Sequence, residues 1–288
     1  MLLDIKLKML YNVIEKIIKP YNNFKRRNNM TEVARKIELI KKIDDESILL
    51  QAFKQEDDER IIEAILEKTK NAELANLIAE DFKLPENIRL DSLKKCSNDV
   101  LKARFEDIKE AEQIRISAIC LFDGDYNWMK MLDNESSEAI KKIIIKNKIY
   151  SQSLLVQIAF REYNNEGLVK AALRKVSDEK YLLAAFDNND YYNVLEKIFV
   201  KLKVRENIIS AIDYIDVTKI SSEFLFLILG KLVRFDLYDK ITKILLKIEV
   251  AKVIDNYIGY IENKELLEII KNEASSWYAR ALALNKIS

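Results

Sequence analysis

The sequence predicts an all-α chain built as an α-α superhelix, a solenoid of about eight helical hairpins with a capping helix at either end. Three observations predict it. Four glycines and two prolines in 288 residues leave few sharp-turn residues for a hairpin-rich β protein, while good helix formers dominate. Segments resembling one another begin at Ala34, Ile61, Ile88, Ile114, Ile140, Leu168 and Val194, in steps of 27, 27, 26, 26, 28 and 26 residues. A fixed period in this range marks a stack of supersecondary units. Within each unit the apolar positions also recur in register. The fifth position of the first helix is Ile65, Ser92, Ala118, Ile144, Ala172 and Ile198, and the sixth is Leu66, Leu93, Ile119, Ile145, Leu173 and Phe199. With the opening residue they form one apolar stripe on a helix face.

Taken in order, residues 1–30 read as an N-terminal capping helix over 2–19, stopped by Pro20, followed by the basic connection "NNFKRRNN". Residues 31–222 read as regular repeats. The second helix of a repeat ends on a small-then-large pair such as Ala52-Phe53, Ala159-Phe160 or Ala185-Phe186, with Arg104-Phe105 and Met131-Leu132 as variants. A small residue lets neighbouring helices approach and the aromatic fills the space between layers. Acidic or Asn-rich turns ("KQEDDE", "LDNESSE", "REYNNE") supply caps for the next helix. Residues 223–288 keep a helical pattern without the period and read as degenerate repeats and a C-terminal cap, so the chain is one continuous solenoid domain.

The units "IRLDSLKKCSNDVLKARF" and "IRISAICLFDGDYNWMKML" open on Ile88-Arg89 and Ile114-Arg115, with Ser92-Leu93 and Ala118-Ile119 following. This pattern resembles the short bacterial HEAT-like helical repeats, over about residues 31–230. The resemblance implies an α-solenoid. It implies packing positions and no active site. The family's basic residue after the opening apolar one stands at Arg89, Arg115 and Lys141, whereas Ile62, Val169 and Leu195 occupy that slot elsewhere.

The chain contains no histidine, which removes His-assisted nucleophiles and most transition-metal sites. There is no "GxxxxGK" or "GxGxxG" phosphate cradle. Cys96 and Cys120 are the only cysteines and both fall in helical stretches, so no disulfide framework or thiolate metal site is expected and a reducing compartment fits. A net charge of +1 provides no global field toward nucleic acid or anionic membrane. No secretory signal pattern or membrane span is read, and the expected location is the cytoplasm.

Four local stretches stand out. In "LFDGDYNWMKM" the packing reading has Gly124 making a turn, Asp125 capping the next helix and Trp128 filling the slot of Leu101 and Leu155; the alternative is a carboxylate pair, Asp123 and Asp125, beside aromatics. Lys25, Arg26 and Arg27 offer a phosphate or lipid contact, against a solvated linker. Arg104 departs from the small residues at its slot. "SSWYARAL" reads as the apolar side of the terminal cap, or as a Trp277-Tyr278 anchor for another protein.

The functional expectation is a non-catalytic protein-binding or scaffold module with no cofactor and no metal. Its second helices would line a concave side, and the residues outside the packing stripe are the candidate contacts: Lys102, Arg104, Trp128, Lys130, Gln157 and Arg161. The partner expected is another protein or peptide. The alternative is a nucleic-acid binder or DNA base-excision enzyme of the HEAT-like alkylpurine glycosylase type, which works through a basic channel with aromatics and a carboxylate. A lyase acting on a tetrapyrrole-bearing protein rests on fold analogy alone.

Overall fold

The computed structural model describes residues 31–187 and 191–288; the expected capping helix and basic connection of residues 1–30 lie outside them. The described residues form nineteen α-helices and no strand. They belong to two compact units, one ending at Tyr126 and the other spanning Asn127–Ser288.

The first unit contains α1 (Glu32–Ile40), α2 (Glu46–Gln55), α3 (Glu59–Lys68), α4 (Ala72–Glu80), α5 (Glu86–Leu93), α6 (Asn98–Glu106) and α7 (Glu112–Leu121). The odd-numbered helices pack each on the next, α1 on α3, α3 on α5 and α5 on α7. In the second unit α8 (Trp128–Asn134) is followed by α9 (Glu138–Asn147), α10 (Gln152–Arg161), α11 (Glu166–Lys175), α12 (Glu179–Ala184), α13 (Tyr192–Lys201) and α14 (Arg205–Asp213). The chain ends in α15 (Ser222–Arg234), α16 (Tyr238–Leu245), α17 (Ala251–Ile258), α18 (Lys264–Glu273) and α19 (Trp277–Ile287). One row runs α9, α11, α13, α15, α17, α19; α10, α12 and α14 form a second row, and α16 packs on α18. Consecutive packing of neighbouring helices within each unit is the arrangement of a helical solenoid.

The helices start where side chains can satisfy their free N–H groups. Asp45, Asp58, Asn71, Asn127, Ser137, Ser151, Asn165, Asp178 and Ser221 all accept from a backbone N–H in the first turn. The turns before α5 and α7 do not follow this rule, since Pro85 and Ala111 stand at the cap without a side-chain bond. The cap of α8 is Asn127, bonded to Lys130 N at 3.0 Å, and not Asp125, which lies exposed two residues earlier. Gly124 is required by its neighbour: an added Cβ would meet the Phe122 ring at 2.8 Å.

The core is the stripe expected from the repeats. Ile65, Ser92, Ala118, Ile144, Ala172 and Ile198 are all fully buried, and Leu93, Ile119, Ile145, Leu173 and Phe199 beside them are nearly so. Each large aliphatic contributes about 1.5–3 kcal/mol of burial. Ser92 fits because its hydroxyl donates to Arg89 O at 2.7 Å, leaving no polar group unpaired. The paired pattern continues through Phe224-Leu225 with Ile228-Leu229 in α15 and Val253-Ile254 with Tyr257-Ile258 in α17.

Within each unit, polar side chains then fasten hairpins to their neighbours. In five repeat units the eighth position of the first helix is a lysine whose ammonium donates to the carbonyl end of the preceding first helix. Lys95 reaches Leu66 O, Glu67 O and Thr69 O; Lys175 reaches Ile145 O and Lys146 O; Lys201 reaches Leu173 O. Lys231 reaches Phe199 O and Val200 O, and Lys286 reaches Ile258 O and Gly259 O. A cation on the last carbonyls complements the helix dipole. Burial pulls the Lys175, Lys201 and Lys231 ammonium groups below the usual lysine range. At the other end of the hairpins, residues at the start of the second helices hold the following loop. Glu46 accepts from Lys70 N, Asn98 accepts from Asp123 N, Gln152 accepts from Ser177 N, and Glu179 accepts from Lys203 N and Val204 N.

The basic slot of the resembled family is occupied by structural groups. Arg89 donates its Nε to Ala79 O and Arg115 its Nε to Phe105 O, both at 3.1 Å. Lys141 pairs with Glu162 at 2.8 Å.

Candidate binding surface

The second-row helices α10, α12 and α14 position the most developed surface of the second unit. Ser151 starts α10 by accepting from Leu154 N, and Asp178 starts α12 by accepting from Lys180 N at 3.0 Å. The spacing of these helices is fixed by the side chains that bind the loops: Gln152 on Ser177, and Glu179 on Lys203, Val204 and Asn207.

Two clefts result, one on each side of α12. The cleft between α10 and α12 has a volume of about 450 Å³ and is lined by Val156, Gln157, Phe160, Arg161 and Tyr181, closing on Ala184 and Ala185. Its only charged lining residue is Arg161, whose guanidinium already donates to Asp133 at 2.7 Å. The cleft between α12 and α14 is larger, about 880 Å³, and carries Asp178, Glu179 and Asp187 against Lys180, with Leu183, Val204 and Tyr214 as its apolar part. Ala184 belongs to both. α12 is the shortest of the described helices, six residues, and Ala184, its last residue, is exposed.

Of the six residues expected at a binding face, Gln157 and Arg161 come together in the α10/α12 cleft. Lys130 is exposed on α8. Trp128 opens α8 half-buried, with the Lys148 ammonium 5.3 Å from its ring centroid, a cation–π contact. Lys102 and Arg104 lie in the other unit. Lys102 is exposed on α6 with its ammonium 5.8 Å from the Tyr126 ring. Tyr126 donates to Glu106, and burial with that carboxylate nearby pushes its phenol up to about 12.

Arg104 is paired within the chain through its Nη1, while its buried Nε has no hydrogen-bond partner among the described residues. Its Nη1 donates to Glu110 at 3.2 Å, and Glu110 also holds Arg89 through both oxygens and accepts from Ala111 N at 2.9 Å. Both guanidinium groups lie against the Phe82 ring, 4.4 Å for Arg89 and 5.3 Å for Arg104. Nearby, burial raises the Cys96 thiol to about 12, which keeps it protonated and unreactive at neutral pH.

The sequence does not single out Val156, Tyr181, Ala184 or Tyr214, which complete the two clefts, and it gives Phe160 as a residue filling the space between layers, whereas Phe160 is half-buried and lines the α10/α12 cleft. The one signal is the pair Ala184-Ala185, a small residue placed before the expected small-then-large ending. Among the described residues no group of three or more His, Cys, Asp or Glu side chains could hold a metal ion, and no helix is long and apolar enough to cross a membrane. Compared with protein-family models, curated proteins and solved structures, the chain matches none of them.

Proposed function

We propose that the chain is a cytoplasmic, HEAT-like α-solenoid of about eight hairpins that acts as a scaffold, presenting its second helices, on the concave side, to another protein. The observation that carries this reading is the open cleft between α10 and α12, which sets Val156, Phe160 and Tyr181 beside the amide of Gln157. An apolar floor with a few polar groups at its rim suits a protein or peptide segment. The division of labour among side chains supports it as well. The polar groups between hairpins are used for fastening one unit to the next, while Gln157 points to no such partner and stays exposed.

The test is site-specific photo-crosslinking in native cells, with benzoylphenylalanine placed at Gln157 and, as control, at Lys170 on the exposed side of α11. A discrete protein adduct at position 157, absent at 170 and resistant to nuclease, is the expected result. Adducts removed by nuclease and weakened at high salt would instead establish the nucleic-acid reading. Equal labelling at the two positions would withdraw the scaffold reading for this face.

A further inference from the structure

α19 sits in its row in the register of the helices before it. Lys286 donates to Ile258 O and Gly259 O as Lys231 does to Phe199 O and Val200 O, and Ala279 and Ala283, at the first and fifth positions, are fully buried. Its opposite face is open. The sixth position is Phe199, Leu229 and Ile258 in α13, α15 and α17, and the second is Leu195, Leu225 and Ile254; all are buried, and in each case another helix of the row follows. In α19 these positions hold Leu284, 52% exposed, and Arg280, also exposed. Trp277, three residues before Arg280, is 72% exposed at a position where α3, α5, α7, α9 and α11 carry glutamate. The outer face of a terminal solenoid helix is ordinarily polar. Here Trp277, Arg280 and Leu284 stand at i, i+3 and i+7, one stripe of the kind that anchors a second helix.

The interior of the chain supplies the template for what fits this stripe. Where the second position is basic, a glutamate from the loop leading into the next first helix meets it: Glu110 holds Arg89 ahead of α7, and Glu162 pairs with Lys141 at 2.8 Å ahead of α11. The incoming helices carry Ile114 and Ala118, or Leu168 and Ala172, at their first and fifth positions, all buried. Arg280 stands in the same slot, and among the described residues no carboxylate pairs with it. A second copy does not provide the missing carboxylate. Two α19 helices packed antiparallel, with Trp277 of one over Leu284 of the other, would bring their Arg280 side chains together at the two-fold axis, and α19 has no acidic residue to offset them. The sequence leading into α1 is basic, Lys25, Arg26 and Arg27, so a copy stacked head to tail would meet Arg280 with like charge. We infer that the outer face of α19 is a docking surface for a helix of another protein, packed as the next helix of the row, with small or aliphatic residues at i and i+4 and a glutamate a few residues before i. This surface is distinct from the α10/α12 cleft, and its occupant does not depend on the scaffold reading.

The experiment uses the full chain and a fluorescein-labelled peptide of residues 107–122, the segment that carries Glu110, Ile114 and Ala118. A hydrocarbon staple between positions 113 and 120, both exposed in the chain, holds it helical. The expected result is saturable binding by anisotropy, weakened about tenfold in Arg280→Glu and in Leu284→Asp. Both proteins should keep the parent melting temperature, since both positions are exposed. A peptide with Glu110→Arg should in turn bind the Arg280→Glu protein about tenfold better than the parent peptide does, because the exchanged charges pair again. No binding at millimolar protein, binding that both protein variants keep within about threefold of the parent, or no recovery on exchange overturns the inference. A dimer in analytical ultracentrifugation that Leu284→Asp dissolves overturns it as well, by giving the face to a second copy.

Discussion

The surroundings of Glu110 and those of Lys231 do the same job with opposite means. Each joins one hairpin to its neighbour by placing charge among backbone groups. Around Glu110 the charge is buried and paired: the carboxylate side chain is 1% exposed, Arg89 is 6% exposed, and four donors converge on two oxygens. Around Lys231 the charge forms no direct ion pair with a described residue, and the Glu179 carboxylate acts on it from farther away. Its ammonium sits on the carbonyls of Phe199, Val200 and Leu202 at the end of α13, 5.1 Å from the Phe199 ring, with its side chain half open to solvent. The first arrangement is rigid and unforgiving, because every partner depends on the others for its desolvation. The second is a local cap, and water can take its place.

The largest effect should follow from breaking the buried cluster. Glu110→Ala leaves Arg89 and Arg104 without their carboxylate in a site closed to water, and a loss of about 3–5 kcal/mol is expected in urea denaturation followed by circular dichroism. The comparison sharpens if all three charges are removed together. Arg89→Met, Arg104→Met and Glu110→Leu in one chain should recover to within about 1–2 kcal/mol of the parent, since no unpaired charge remains. A triple variant as unstable as Glu110→Ala would mean that the cluster acts through shape and not through charge.

Lys231→Met should cost less, about 1–2 kcal/mol, measured in the same way. Hydrogen bonds from a charged group contribute about 1.5–3 kcal/mol when buried, and partial exposure reduces this. Methionine keeps the apolar stem over Phe199 and removes only the ammonium. A loss as large as that of Glu110→Ala would erase the distinction between the two kinds of fastening.

How much of this was legible in the sequence follows from what each feature depends on. The packed stripe is local and periodic, so Ile65, Ile144 and Ile198 could be placed in the core from spacing alone. The stripe is harder to follow beyond residue 222, because Val194, Phe224 and Val253 stand 30 and 29 residues apart instead of 26 to 28. The extra length lies in the segment before α15 and in α15 itself, which has thirteen residues. The eighth-position lysines are also periodic, but they are hidden in a chain where 48 residues are basic. Arg104 shows the limit from the other side. Its departure from the small residues of its slot is visible, yet its partner Glu110 lies in an irregular loop six residues on, and nothing in the repeat pattern brings that carboxylate inward. The two clefts depend on the lateral spacing of three helices and on the shortness of α12, which are properties of the assembled unit and not of any one stretch.

The smallest effect concerns the helix that carries Lys231. α15 ends in a Schellman turn, with Leu237 N donating to Leu232 O at 3.0 Å and Asp236 N to Val233 O at 3.1 Å. This turn puts Asp236 at φ 54°, the one positive φ outside glycine among the described residues. Left-handed backbone costs an L-residue with a Cβ about 1 kcal/mol, and glycine nothing in steric terms. Asp236 recovers part of this by accepting from the Tyr238 hydroxyl at 3.1 Å, a bond between exposed groups. Asp236→Gly should therefore raise stability by about 0.5–1 kcal/mol, and should do so equally in the parent and in Lys231→Met, because the turn and the ammonium satisfy carbonyls of different helices. A gain that vanished in Lys231→Met would show the two caps to be coupled, and would move the Lys231 region toward the cooperative behaviour assigned here to Glu110.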